Sequence, residues 1–442
     1  MKRLIMDELI KWKNKTNKKP LLIRGTRQVG KSFIVREFGK EYDNYFEINF
    51  ERDRNLCELF NNSLSPNNIL KKLSIYFNKK ITSENTLIFF DEIQECERAL
   101  LSLRYFYEEM PEINIIGAGS LLEFTIEKIG LPVGRIQNLY LYPMSFSEFL
   151  IAKKKELLIN EIIKGNIDEF THNLIIDELN EYLIVGGMPE AIKTWIETED
   201  VKEVKLVHNS IIDTYKQDFN KYSKRNQIEY IEKVFTKIPT MIGKKFIYSH
   251  IDDSIKIHKV KNAYELLKKA MVISSVYHTS ANGLPLEAEI KYNIFKTIFL
   301  DIGLVQTILG ENIGLLTINK ENNVINKGSI IESFIGQEIL AYSNPYNQKK
   351  LFYWIREKRG SNAELDYVEL IENQIIPIEI KSGKKRYGRS INIFLVEKNS
   401  PYGILFYNGL PQRNKNILLY PIYFTIKLFA YKEFLSSNFL SS

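Results

Sequence analysis

The sequence predicts an α/β protein: a parallel-sheet core, a helical segment, helices ending in a hairpin, and a second mixed α/β region. Three observations predict it. Short apolar runs at Leu21–Ile23, Tyr45–Ile48, Leu87–Phe90 and Ile113–Ile116 alternate with helical stretches over residues 1–150, the pattern of a parallel sheet with crossover helices. Residues 151–224 show helical spacing, interrupted at Gly186-Gly187-Met188-Pro189 by a turn. From residue 225 onward helical patterns lead into Val272–His278, a Gly-Leu-Pro turn and a second apolar run, an arrangement that suits a winged helix. The boundaries expected are 1–150 for the core, 151–224 for a helical lid or linker, 225–315 for the winged-helix-like module and 316–442 for the last domain.

Length and composition agree with several domains. At roughly 150 residues per domain, 442 residues suggest about three. Hydrophobic residues are 44% and charged residues 26%, which excludes a largely disordered chain. The formal charge of +7 permits a nucleic-acid partner without demanding one. Two cysteines, Cys57 and Cys96, cannot form a disulfide framework and read as reduced thiols of a cytoplasmic protein. No run approaches the roughly 18 apolar residues of a membrane span. The first residues lack a signal-peptide core and read as a short amphipathic helix with Leu4, Ile5, Leu9 and Trp12 on one face, packed on the following domain rather than on a membrane. The five histidines have no metal-ligand spacing, and no Gly-x-Ser-x-Gly occurs.

Residues 25–32 carry the sharpest motif: Gly25, Thr26, Arg27, Gln28, Val29, Gly30, Lys31 and Ser32 match GxxxxGK[ST] at every fixed position. Glycines let backbone N–H groups wrap phosphate oxygens, Lys31 reaches the β- and γ-phosphates, and Ser32 ligates Mg²⁺. An apolar run precedes the motif and a helical pattern follows it, so a helix N-terminus points at the phosphates. A second element supports the first. Leu87–Phe90 ends in Asp91 and Glu92; Asp91 would belong to the Mg²⁺ shell and Glu92 would polarise the attacking water. Ser120, after the Ile113–Ile116 run, reads either as a γ-phosphate sensor or as a helix cap. Arg135 reads either as charge supplied to a γ-phosphate, in cis or from a neighbouring subunit, or as a surface arginine, and Arg24 and Arg27 carry the same ambiguity.

These motifs, with Gly117-Ala-Gly-Ser-Leu-Leu-Glu123, Pro143-Met-Ser-Phe-Ser-Glu148, Tyr182–Glu190 and Phe295–Leu304, resemble the prokaryotic AAA-type ATPases that carry a C-terminal domain of unknown function. The resemblance spans nearly the whole chain. It implies an AAA-like P-loop core, a winged helix and a C-terminal domain similar to the restriction-endonuclease fold. It carries ATP and Mg²⁺ to Gly25, Gly30, Lys31, Ser32, Asp91 and Glu92. The sensor position departs from the usual pattern, because Gly-Ala-Gly-Ser lacks an Asn.

The last third holds a sparser constellation. Asp366 is followed thirteen positions later by Glu379-Ile380-Lys381. Residues two apart on a strand share a face, so Glu379 and Lys381 project together and Asp366 on a neighbouring strand can meet them. Two carboxylates can hold Mg²⁺ and a lysine can orient a water, which is the PD-(D/E)XK constellation. Glu332 or Glu338 on the preceding helix would complete it, Glu332 being preferred. The competing reading is a charged strand face. Lys381, Lys384, Lys385, Arg386 and Arg389, with Tyr387, form a basic run that could grip phosphates or remain solvated. Lys256, Lys259, Lys261, Lys268 and Lys269 surround a helix at the recognition position of the winged helix, while Ala263, Leu266, Leu267 and Ala270 read as its core face. The expected function is ATP binding and hydrolysis controlling a half that engages DNA or a protein partner. The alternatives are an ATP-gated Mg²⁺-dependent DNA nuclease and a nucleotide-switched scaffold. A homo-oligomer is compatible with each.

Overall fold

The computed structural model describes residues 1–82, 85–130, 134–223, 225–310, 327–357, 363–381 and 388–429. It forms two compact units: the first is Lys2–Tyr142 with Asn344–Gln348, and the second is Met1 with Pro143–Ser343 and Lys349–Ser442.

The first unit is built on five strands: β1 (Leu21–Arg24), β2 (Asn44–Asn49), β3 (Thr86–Asp91), β4 (Asn114–Gly119) and β5 (Gln137–Tyr140). They run parallel in the order β2-β3-β4-β1-β5. Every residue of β1, β3 and β4 is buried, as expected where crossover helices cover both faces of a parallel sheet. Edge strand β2 buries only Phe46 and Ile48, its alternate residues. Registration sets Ile23, Ala118 and Asp91 side by side, so the carboxyl ends of β1, β4 and β3 finish level. In open α/β sheets, ligands bind in the crevice outside those ends. Phe50, Phe60 and Phe90 pack with ring centroids 5.7–5.9 Å apart beneath β3.

The amino-terminal helix Ile5–Lys13 buries Ile5, Leu9 and Trp12. Trp12 packs against Phe38 of the helix Lys31–Gly39, and its indole N–H donates to the Lys19 carbonyl at 2.8 Å. The apolar face thus serves intramolecular packing. Among the described residues, no helix is long and apolar enough to cross a membrane.

The second unit opens with helices. Phe146–Ala152 begins with a capping box in which Ser145 and Glu148 satisfy each other's backbone N–H groups. Glu338, from the helix Lys327–Tyr342, accepts the Phe146 N–H at 2.9 Å. Helices Glu169–Val185, Pro189–Thr198, Val201–Tyr222, Arg225–Lys237 and Ile257–Lys269 follow. The turn at Gly186-Gly187 is held by buried Asp301, which also accepts the Leu304 N–H at 3.1 Å and caps the helix Ile302–Ile308.

Two sheets complete the unit. β6 (Ile273–Thr279) and β7 (Ile290–Phe299) pair antiparallel. β8 (Leu351–Ile355) runs parallel to β6, and β9 (Glu364–Leu365) completes the order β7-β6-β8-β9. The second sheet contains β10 (Tyr367–Ile371), β11 (Gln374–Ile380), β12 (Gly403–Tyr407), β13 (Gln412–Asn414) and β14 (Ile417–Pro421), in the order β10-β11-β12-β14-β13. The hairpin expected at the end of the helical stretch is therefore present and shares its sheet with strands from the last hundred residues. Trp354, Phe394, Leu405 and Leu419 lie in the core beside these sheets.

Candidate functional site

The phosphate loop joins β1 to the helix Lys31–Gly39. Gly30, at φ +94°, is that helix's cap, a conformation that costs glycine nothing. A Cβ on Gly25 would lie 2.3 Å from the Leu141 carbonyl oxygen, so only glycine lets the loop leave β1 there. Lys31 is buried, and its ammonium donates to the Gly25 and Thr26 carbonyls at 3.0 and 2.7 Å. The Thr26 hydroxyl is buried without a partner inside the same loop.

Opposite the loop, Asp91 ends β3. Its Oδ1 accepts from the Ser32 hydroxyl at 2.8 Å, and its Oδ2 accepts from the Asn49 amide at 3.0 Å. Arg36 stands 3.8 Å from the same oxygen. Burial raises the Asp91 carboxyl above its ordinary range, and the Ser32 and Asn49 bonds oppose that rise. Glu92 follows in the left-handed region at φ +49°, and Gln94 Nε2 donates to its carboxylate at 2.6 Å. A non-glycine residue at positive φ carries local strain, which is concentrated at functional sites. Hard oxygen donors at Ser32 and Asp91, with a buried lysine and a helix N-terminus alongside, fit Mg²⁺–nucleotide chemistry.

The remaining sequence candidates divide. Ser120 is buried at the end of β4, level with the loop strand. Arg24 pairs with Glu123 and donates to the Tyr140 hydroxyl at 3.1 Å, and Arg27 pairs with Glu51 at 3.2 Å. Arg135 forms an exposed pair with Glu108 at 2.8 Å. Asn49 and Gln94 were not singled out in the sequence. Their signal was weak: polar residues ending β2 and following Asp-Glu.

In the second unit Glu332, Asp366, Glu379 and Lys381 also converge. Asp366 Oδ2 accepts the Ile380 N–H at 2.8 Å, which fixes it beside the end of β11. Lys381 pairs with Glu379 at 2.7 Å, and the other Glu379 oxygen is buried without a partner. A residue absent from the sequence reading dominates the cluster. Lys296, from β7, is 3% exposed. Its ammonium lies 2.9 Å from Glu332, 2.6 Å from Glu364 and 3.8 Å from Asp366, and 5.2 Å from the centre of the Tyr353 ring. Burial raises Glu332 to about 8 and raises Asp366 and Glu379, while the carboxylates hold Lys296 firmly charged. Among the described residues no group of three or more His, Cys, Asp or Glu is arranged to hold a metal ion. The signal for Lys296 was a single lysine inside the apolar run Ile294–Leu300. Glu338 lies apart from this cluster, bonded to the Phe146 N–H.

On the helices, Lys259 donates to the Tyr230 hydroxyl at 2.7 Å. A pocket of about 240 Å³ lies there, lined by Gln227, Tyr230, His258, Lys259 and Asn262 among others. Ala263, Leu267 and Ala270 are buried and Leu266 is half-buried. In the basic run Lys381 and Arg389 are described; Lys384, Lys385, Arg386 and Tyr387 lie outside the described residues.

Three regions match known domain families. Residues 17–150 match the AAA domain, residues 176–313 a domain of unknown function (DUF8612) and residues 327–424 another (DUF4143). No curated protein matches the chain. Among solved structures, the Walker-type ATPase PABY2304 of Pyrococcus abyssi is 18% identical, with 69% of this chain and 94% of that chain covered and a TM-score of 0.43. PCH-2 of C. elegans is 12% identical over 46% of this chain and 66% of its own, with a TM-score of 0.27. The Hsp104–ADP complex of S. cerevisiae is 15% identical over 60% of this chain and 37% of its own, with a TM-score of 0.26. Together with the motif geometry, the domain match makes residues 17–150 an AAA-type P-loop domain, the class that binds and hydrolyses ATP.

Proposed function

We propose that this chain hydrolyses ATP at the loop of residues 25–32 and uses the nucleotide state to control a half that engages DNA or a protein partner. The observation that carries the reading is the joined geometry of Ser32, Asp91, Glu92 and Gln94 at the carboxyl ends of the sheet. In this reading the loop N–H groups and the start of the helix Lys31–Gly39 cradle the phosphates. Lys31 exchanges its loop carbonyls for β- and γ-phosphate oxygens. Ser32 and Asp91 would hold Mg²⁺, which when bound neutralises charge on the phosphates. Glu92, positioned by Gln94, orients the attacking water and takes its proton. Ser120 senses the γ-phosphate, and Arg135 is a candidate finger only if a second subunit faces it. The setting would be cytoplasmic.

We assign residues 151–224 to a helical lid or linker, 225–315 to a winged-helix-like module and 316–442 to a nuclease-like domain. The helix Ile257–Lys269 with the β6–β7 hairpin supports the second of these, and the mixed sheet bearing Glu379, with Asp366 in the bend just before β10, supports the third. For the last domain a binding role without cleavage is favoured by Lys296. A buried ammonium already pairs with Glu332 and lies 3.8 Å from Asp366, two of the carboxylates that a nuclease would reserve for metal.

Phosphate release from ATP by purified protein, with and without DNA, tests the reading. Turnover stimulated by DNA is the expected result for a DNA partner, and turnover indifferent to DNA directs the search to proteins. Absence of turnover under both conditions overturns the assignment.

A further inference from the structure

The chain has two cysteines in 442 residues. The fold brings them side by side, although they lie in different elements: Cys57 Sγ lies 3.8 Å from the carbonyl oxygen of Glu95, the residue preceding Cys96, and both side chains pack in one core cluster. Cys57 belongs to the 3₁₀ helix Arg54–Phe60. Cys96 lies between the short turn Ile93–Glu95 and the helix Glu97–Glu109, where it is the cap residue. Cys96 is part of the core cluster containing Phe50, Phe60 and Phe90, and Cys57 packs against that cluster. The turn ending at Cys96 carries Gln94, and its cap is Glu92. A covalent bond at Cys96 would therefore act on the segment that positions the proposed water-orienting carboxylate.

We propose that Cys57 and Cys96 form an oxidation site whose disulfide ties the Glu92–Glu95 turn to the helix Arg54–Phe60 and lowers ATP turnover. The effect on turnover rests on the ATPase reading above; the bond itself does not.

The oxidant is a hydroperoxide, which accepts two electrons. Cys57, the more exposed thiol, attacks the O–O bond as thiolate, becomes a sulfenic acid and releases the alcohol, or water from hydrogen peroxide. The Cys96 sulfur then attacks the sulfenic sulfur. The departing hydroxide takes the Cys96 proton and leaves as water, so one disulfide and one further water form. A dithiol reductant reverses the bond by exchange. Burial raises both thiols above the ordinary cysteine range, so thiolate is scarce at neutral pH and the pair oxidises slowly. The site responds to sustained oxidation rather than to a brief pulse.

The competing account is two small apolar side chains filling a core. Full-length protein incubated with hydrogen peroxide separates the two. Expected are loss of both titratable thiols, a monomer lighter by two hydrogens, and a Cys57 peptide linked to a Cys96 peptide. ATP turnover should fall about tenfold or more, since small misplacements of catalytic groups have effects of that size or larger, and dithiothreitol should restore it. Cys57→Ser and Cys96→Ala should keep their basal turnover and become insensitive to peroxide. Separate sulfinic acids, linkage between two chains, retained thiols, or a disulfide with unchanged turnover would each overturn the proposal. If the reduced protein turns over no ATP, the ATPase reading fails on its own, while peptide mapping still decides the bond.

Discussion

At the phosphate loop the ammonium of Lys31 goes to backbone carbonyls, and the closest hydrogen bonds to Asp91 and Glu92 come from neutral groups, Ser32, Asn49 and Gln94. In the carboxylate cluster of the second unit the ammonium of Lys296 goes to Glu332, Glu364 and Asp366. The ingredients are alike, yet the first site meets its carboxylates at closest range with neutral donors and the second supplies a cation of its own. Carboxylates near a lysine are therefore a weak sign of metal chemistry until the lysine's own partners are known.

The largest effect that tests this contrast is on turnover. Glu92→Gln should retain ATP binding and reduce phosphate release by about 10²–10⁴-fold, the range for loss of a general base. Lys31→Ala should lose binding as well. Release rates together with a fluorescent-nucleotide titration check both, and unchanged turnover in either variant would dissolve the contrast from the first side.

Next in size is Lys296→Met. Removing one partner of a buried ion pair leaves carboxylates uncompensated, at about 3–5 kcal/mol. Urea denaturation should report that loss. Lys296→Met combined with Glu332→Gln should recover part of it, whereas additive losses would mean that Lys296 does not neutralise Glu332.

Asp301→Ala should cost about 2–3 kcal/mol, because the Gly187 and Leu304 N–H groups lose a buried acceptor. This separates a clamp from a catalytic group, since melting should fall while per-molecule turnover of the folded fraction holds.

Glu338 gives a pH signature. Burial raises its carboxyl from 4.5 to about 8, so the folded state binds a proton that the unfolded state releases. Its contribution to stability is fully present below about 4.5, declines as pH rises and is gone above about 8. Glu338→Gln should therefore gain melting temperature relative to the wild type between pH 5 and pH 8.5, on the order of a few degrees. A constant difference across that range would place the Glu338 titration elsewhere.

The smallest stability effect belongs to Lys381→Ala. Lys381 is 41% exposed, and loss of its bond to Glu379 should cost under about 1 kcal/mol. Incubated with plasmid and Mn²⁺, both wild type and variant should leave the DNA intact. Cleavage by the wild type that is lost in Lys381→Ala would restore the nuclease reading.

Much of the first unit was legible in the sequence because its signals are local. Apolar runs mark fully buried parallel strands, and Gly25–Ser32 needs only neighbouring backbone to form its loop. The motif segments further on were legible as patterns but not in meaning. Pro143–Glu148 proved to contain a capping box, and Tyr182–Glu190 and Phe295–Leu304 meet where Asp301 holds Gly187. The Asp301–Gly187 contact joins residues 114 positions apart, and no periodicity encodes it.

By itself the sequence determined four of the five core strands, the nucleotide loop and the carboxylates following Leu87–Phe90, since each depends on spacing within a few residues; the edge strand β5, Gln137–Tyr140, carries no such run. Tertiary structure alone decided the partners of charged groups. Lys296 reads as an isolated lysine in an apolar strand, and only the fold that brings its ammonium to Glu364 of β9, to Asp366 and to Glu332 of the helix Lys327–Tyr342 makes it the counter-ion of three carboxylates. Cys57 and Cys96 likewise meet only when two short helical turns fold against one aromatic core. Burial and pairing are properties of the assembled chain, because desolvation acts on what surrounds a group in space and not on what flanks it in sequence.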